Sequence, residues 1–189
     1  MVSILRNIVC LALFTTLINS AGFAQTKENP DVLFKELAKC QSSIDSLDVL
    51  LRISDALFDR DPEYCLEITD FTQRLARRIG DTKSLIRSSN KLAMIQKDLG
   101  FMNLAQKNIS DNIALAEDRG DGALKGETKL ISGHIQFELG EYSAARTEYQ
   151  SSLSNYKSVN DTSGMAHAYL GLGSVGSAQG NESIAMSYY

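Results

Sequence analysis

The sequence predicts an all-α chain of stacked antiparallel helix pairs, on three observations. Turn signals recur at a spacing of 40 residues: Gly80-Asp81, Gly120-Asp121 and Asn160-Asp161 share one register, and Leu99-Gly100, Leu139-Gly140 and Gln179-Gly180 share another. A period of this length marks an array of supersecondary units, none able to bury its apolar face alone. Composition agrees: Ala, Leu, Lys, Glu and Gln dominate, and 189 residues hold only two prolines, Pro30 and Pro62. Small residues also keep the register, with Ala93, Gly133 and Gly173 on the first helix of each pair and Cys65, Ala105, Ala145 and Ala185 on the second. Antiparallel helices approach closely only where side chains are small, so these seven are expected packing positions.

Residues 1–24 differ from the rest. Arg6 is their only charge, Ile8–Ile18 (IVCLALFTTLI) is an apolar run of 11 residues, and Ser20, Ala21, Gly22 and Ala24 are small. This is the pattern of a signal peptide cut after Ala24, and it predicts export. The run falls short of the ~20 residues that span a bilayer. Cys10 lies too early, and behind Val9 rather than a small residue, for a lipid attachment site. An oxidising compartment permits a bridge between Cys40 and Cys65, but neither forms a CxxC pair, and two thiols are expected.

Residues 25–43 hold a polar lead-in and a short amphipathic helix over Asp31–Cys40. A first, degenerate repeat spans 44–80. It comprises a helix over Asp45–Asp59 and another over Pro62–Ile79, which Asp61 caps and Gly80 closes. The second repeat, 81–120, has helices Thr82–Asp98 and Met102–Arg119. The third, 121–160, has Gly122–Glu138 and Tyr142–Lys157. The fourth, 161–189, has Thr162–Gln179 and a helix that begins near Glu182. Connections of two to four residues force neighbouring helices to run antiparallel. By the register the last helix continues to about residue 197, so the sequence is expected to be a piece of a longer protein.

These positions resemble the tetratricopeptide repeat (TPR) family. In successive copies the first small position reads Ile53, Ala93, Gly133, Gly173, and the turn reads Arg60, Gly100, Gly140, Gly180. The small position of the second helix reads Cys65, Ala105, Ala145, Ala185, and the later bulky one reads Thr69, Ile109, Tyr149, Tyr189. The last copy fits best, with Tyr169 and Leu172 also in place, while Ile53, Arg60 and Thr69 depart from the pattern in the first. The resemblance covers about Asp45–Tyr189. The family's usual period is about 34 residues, so each helix here is nearly a turn longer. It implies a right-handed α-solenoid that binds proteins or peptides along a wall lined by first helices. On this chain that wall maps to Arg87, Asn90, Lys91, Met94 and Lys97, then Glu127, Leu130, His134 and Phe137, then His167, Leu170 and Ser174. Arg, Lys and Asn together are suited to gripping a carboxylate or peptide backbone.

Other chemistry finds little support. Without its first 24 residues the chain has 18 basic and 23 acidic residues, a net charge of −5 that disfavours nucleic acid. Gly171-Leu172-Gly173-Ser174-Val175-Gly176 matches GxGxxG, but Met165–Leu170 before it is helical rather than a strand, so no dinucleotide cofactor is expected. His134 and His167, the only histidines, have no partners at metal-ligand spacing. Asn108, Asn160 and Asn181 begin N-x-S/T sequons, which matter only in a glycosylating host. No nucleophile–base cluster is evident, so the chain itself is not expected to be an enzyme.

The expected function is an exported scaffold for a protein or peptide, similar in architecture to the extracytoplasmic region of bacterial sensor histidine kinases and related regulators. A membrane span and any output activity would then follow Tyr189. The alternative is a free-standing periplasmic assembly or adaptor factor.

Overall fold

The computed structural model describes residues 28–188. The leader assigned to residues 1–24 and the repeat position Tyr189 lie outside them. Every element among the described residues is a helix: α1 Pro30–Leu37, α2 Ser43–Leu57, α3 Pro62–Ile79, α4 Thr82–Asp98, α5 Met102–Arg119, α6 Gly122–Glu138, α7 Tyr142–Ser158, α8 Thr162–Ala178 and α9 Glu182–Tyr188. The fold is all-α, as the period and composition predict. Several boundaries move, most of all those of α1 and α2. α1 ends at Leu37, three residues before Cys40, and α2 starts at Ser43, because the Ser42 hydroxyl accepts the Asp45 amide proton at 3.1 Å and caps the helix there.

The recurrent dipeptides are stop and start signals fused together. Gly80, Gly120 and Asn160 adopt left-handed φ of 76°, 74° and 56°. That conformation disfavours a Cβ, and Asn is the side chain that tolerates it best. The next residue opens the following helix. Asp81 accepts the amides of Lys83 and Ser84 at 3.0 and 3.3 Å, Asp121 those of Ala123 and Leu124 at 3.1 and 3.2 Å, and Asp161 that of Gly164 at 2.9 Å. Each such cap contributes ~1 kcal/mol. At the turns within pairs, Phe101, Glu141 and Asn181 donate back to the carbonyls of Gln96, Gln136 and Gly176, closing the last helical turn. The first copy has Arg60 where these have Gly, and its turn is made without a left-handed residue.

The described residues divide into two compact units between Ser88 and Ser89, inside α4. In the first, α1 packs on α2 and α2 on α3 through Leu33, Leu37, Leu47, Leu50, Ile53 and Ile68, all at most 2% exposed. Arg52 on α2 reaches Glu28 at 2.6 Å and Glu36 at 2.7 Å, tying the chain entry and α1 to it. Cys65 is buried with its thiol 3.1 Å from the Ser54 carbonyl, and no disulfide joins it to Cys40.

The second unit is a stack of helix pairs. Ala93, Ala105, Ile109, Ile131 and Ile135 form one cluster, and Ala145, Tyr149, Leu153, Ala168, Leu172 and Val175 form the next. The seven small packing positions, Cys65, Ala93, Ala105, Gly133, Ala145, Gly173 and Ala185, are all buried. Two tyrosines on α7 lie against glycines of both α6 and α8. A Cβ on Gly133 would come within 2.6 Å of the Tyr149 ring, and a Cβ on Gly171 also within 2.6 Å. One turn-pair further along, a Cβ on Gly126 would meet the Tyr156 ring at 2.8 Å and one on Gly164 at 2.3 Å. Each ring therefore lies as a plate between two helix backbones.

Gly→Ala ordinarily stabilises a helix interior by up to ~1 kcal/mol. At Gly133 and Gly171 the sign reverses, because the Tyr149 ring is hemmed on both sides and cannot retreat. Gly133→Ala and Gly171→Ala are each expected to cost ~1–3 kcal/mol, read as a lower midpoint in urea. A raised midpoint for either would show that the ring is not confined.

Candidate functional site

The residues mapped to the binding wall come from α4, α6 and α8. Arg87 is half-buried and belongs to the first unit; the others belong to the second. On α4, Lys91 is half-buried, Met94 packs against the Ala93 cluster, and the Lys97 ammonium lies against the Asp98 carboxylate. On α6, Glu127 is half-buried, while Leu130 and Phe137 are packed partly into the Tyr149 cluster, with the Phe137 ring 5.4 Å from that of Tyr142. On α8, His167 is exposed, Leu170 is 52% exposed, and the Ser174 hydroxyl donates to the Leu170 carbonyl at 2.9 Å.

Asn90 corrects the expectation. It is 0% exposed, and its side-chain oxygen accepts from Asn112 at 2.6 Å and from Thr128 at 3.1 Å. Three helices thus meet on a buried polar contact, and Asn90 is a core residue rather than part of a wall. Of the residues mapped on α4, Asn90 is enclosed and Lys97 is paired with Asp98.

What the structure does bring together is centred on His134. Its Nδ1 lies 2.9 Å from the Tyr149 hydroxyl, and the two rings meet edge to face at 5.4 Å. The contact follows from the packing, since Tyr149 passes between Gly133 and Gly171 and its hydroxyl reaches the residue next to Gly133. Burial holds the His134 imidazole down to about 4, the Lys97 ammonium and His167 press the same way, and Asp98 opposes them. Lys97 and Asp98 on α4, His134 on α6 and His167 on α8 lie on the first helices of successive pairs. Burial, then the Glu138 carboxylate, pushes the Tyr149 phenol up, so it keeps its proton. His167 Nδ1 lies 2.9 Å from the Ser163 carbonyl.

Sequence reasoning missed Tyr149 as a site residue, treating it only as a bulky packing position, and missed Ser163. The signal was available: Gly126 and Gly133, Tyr149 and Tyr156, and Gly164 and Gly171 are each seven residues apart. Gly171-x-Gly173-x-x-Gly176 lies wholly within α8, and a Cβ at Gly176 would meet the Ala185 backbone at 2.9 Å, so these glycines serve helix packing. Among the described residues, no group of three or more His, Cys, Asp and Glu is placed to hold a metal ion. No described helix is long and apolar enough to cross a membrane.

These features define a TPR-like helical-repeat fold. No protein-family model matches the chain, and no curated protein matches its sequence. Solved structures do. A Rap protein complexed with Competence and Sporulation Factor superposes with a TM-score of 0.76 at 12% identity, over 82% of this chain and 44% of that one. The apo form of RapI gives 0.71 at 14% identity, over 84% and 58%. BtubC (BKLC) from P. vanneervenii gives 0.65 at 15% identity, over 84% and 66%. The chain thus spans between about half and two thirds of the length of these structures. At such identities the likeness is one of fold.

The neutral His134 links stability to pH. Its proton affinity is lower in the fold than in the unfolded chain, which protonates first near 6.5 as pH falls. Its contribution is complete above that value and is lost between 6.5 and about 4. Melting temperature is expected to fall over this range, and less steeply in His134→Gln, which cannot titrate. Equal slopes in the two proteins would contradict the assignment.

Proposed function

We propose that the face of α4, α6 and α8 in the second unit binds a protein or peptide partner. The observation that carries this is a division of labour. Small residues and the Tyr149 and Tyr156 rings do the packing, while Leu170 stays 52% exposed beside His167, on the helix next to the one carrying His134. An exposed Leu on the same side of α8 as His167 offers an apolar contact beside a hydrogen-bonding group. The neighbour solved with Competence and Sporulation Factor is a chain of this fold in complex with a partner. The reading extends to export and to a place in a longer, membrane-bound signalling protein. Its support for export is the sequence of residues 1–24.

The test is selection of random linear peptides on the purified chain, followed by titration of a recovered peptide. His167→Ala with Leu170→Asp is expected to weaken binding at least ~10-fold. Both side chains are exposed, so the melting temperature should shift little. Undiminished affinity in the double variant would move the binding surface elsewhere.

A further inference from the structure

The two imidazoles on this face are held differently. A buried phenol must place its proton on an acceptor, and Tyr149 has His134 Nδ1 at 2.9 Å. If the phenol donates, Nδ1 carries no proton, and the neutral ring bears its hydrogen on Nε2, on the ring's far side. At His167 the partner is the Ser163 carbonyl at 2.9 Å, which can only accept. There Nδ1 carries the proton and Nε2 is left with a bare lone pair. One imidazole thus offers a donor and the other an acceptor. The Lys97 ammonium is already paired with Asp98, and the Glu138 carboxylate adds negative charge beside Tyr149. A carboxylate would find no excess positive charge and would meet a lone pair at His167. A primary carboxamide carries one acceptor and two donors, and it complements the pair.

We propose that Tyr149 and the Ser163 carbonyl fix His134 as a hydrogen-bond donor and His167 as an acceptor, so that this face selects the neutral side-chain carboxamide of an Asn or Gln in a bound peptide. The proposal rests on the peptide-binding reading above and adds the chemical group that is read. Tyr149 is a positioning residue here, acting through His134. Two neutral hydrogen bonds favour a carboxamide over a residue lacking it by about tenfold.

Two measurements test it. In the histidine-labelled chain above pH 7, long-range 1H–15N correlations should show His134 with its proton on Nε2 and His167 with its proton on Nδ1. Tyr149→Phe keeps the ring between the glycines and removes the hydroxyl, so the His134 signals should shift toward the other tautomer while those of His167 stay. A wild-type His134 protonated on Nδ1 overturns the proposal. In the second measurement, peptides selected from a random linear library should be enriched about tenfold in Asn or Gln over Asp or Glu at one position. The enrichment should be lost with Tyr149→Phe and with His167→Ala, whose exposed site leaves folding intact. Peptides that bind without this enrichment, or keep it in His167→Ala, overturn the carboxamide assignment but leave peptide binding standing. Failure to retain any peptide removes both.

Discussion

The second unit depends on two aromatic plates, each pressed between a pair of glycines. A glycine inside a helix costs ~1 kcal/mol relative to alanine, and α6 and α8 accept that cost at Gly126, Gly133, Gly164 and Gly171. What offsets it is burial of Tyr149 and Tyr156, at 1% and 6% exposure, each ring of a kind that removes on the order of 150–250 Å² from water. The arrangement is reciprocal. A flat ring fills a slot only if both walls lack side chains, and bare walls leave a void unless a ring enters. Neither half is stable alone, which couples three successive helices through α7.

The neighbouring copy solves the same problem with other volumes. The position of Tyr149 is held by Ile109, and the positions of Gly133 and Gly171 by Ala93 and Ile131, which share a cluster with it. A smaller side chain on the second helix is matched by larger ones on the first helices, so interior density is kept without the period being kept residue by residue. A buried hydrogen-bonded contact among Asn90, Asn112 and Thr128 adds direction to that copy. Apolar packing tolerates sliding, whereas a polar atom shut away from water must meet its partner, so the contact opposes slippage between the helices that carry it.

This explains what was legible in the sequence. The joints could be read because their chemistry is local: a left-handed residue followed by Asp stops one helix and starts the next, whatever surrounds them. Six helices from α3 to α8 accordingly begin where the sequence places them, and the displaced ones, α1 and α2, lie in the lead-in and at the start of the degenerate first repeat. The binding wall was harder, because it was mapped by carrying one register from copy to copy. Asn90, Leu130 and Leu170 occupy that same register, yet the first is fully buried, the second partly buried and the third 52% exposed. Exposure is decided by what the next helix lays across a side chain, and the repeat does not contain that information.

The plates also decide where chemistry can sit. Tyr149 carries a hydroxyl at the end of a ring that cannot move, and so delivers one polar atom to a fixed point beside α6. The residue there is His134, directly after the glycine that admits the ring. Packing and orientation of the imidazole are therefore one event: the missing Cβ at Gly133 lets the ring in, and the ring sets the histidine. A side chain held this way loses little freedom on meeting a ligand, which makes a short hydrogen-bonding contact worth more than it would be on a mobile loop. His167 is held by its own helix, through the carbonyl one turn earlier, and needs no plate. Leu170 follows it by three residues and so falls on the same side of α8. An apolar contact and an oriented imidazole are thus presented together by a single rigid helix, with the second imidazole supplied by the helix across the ring.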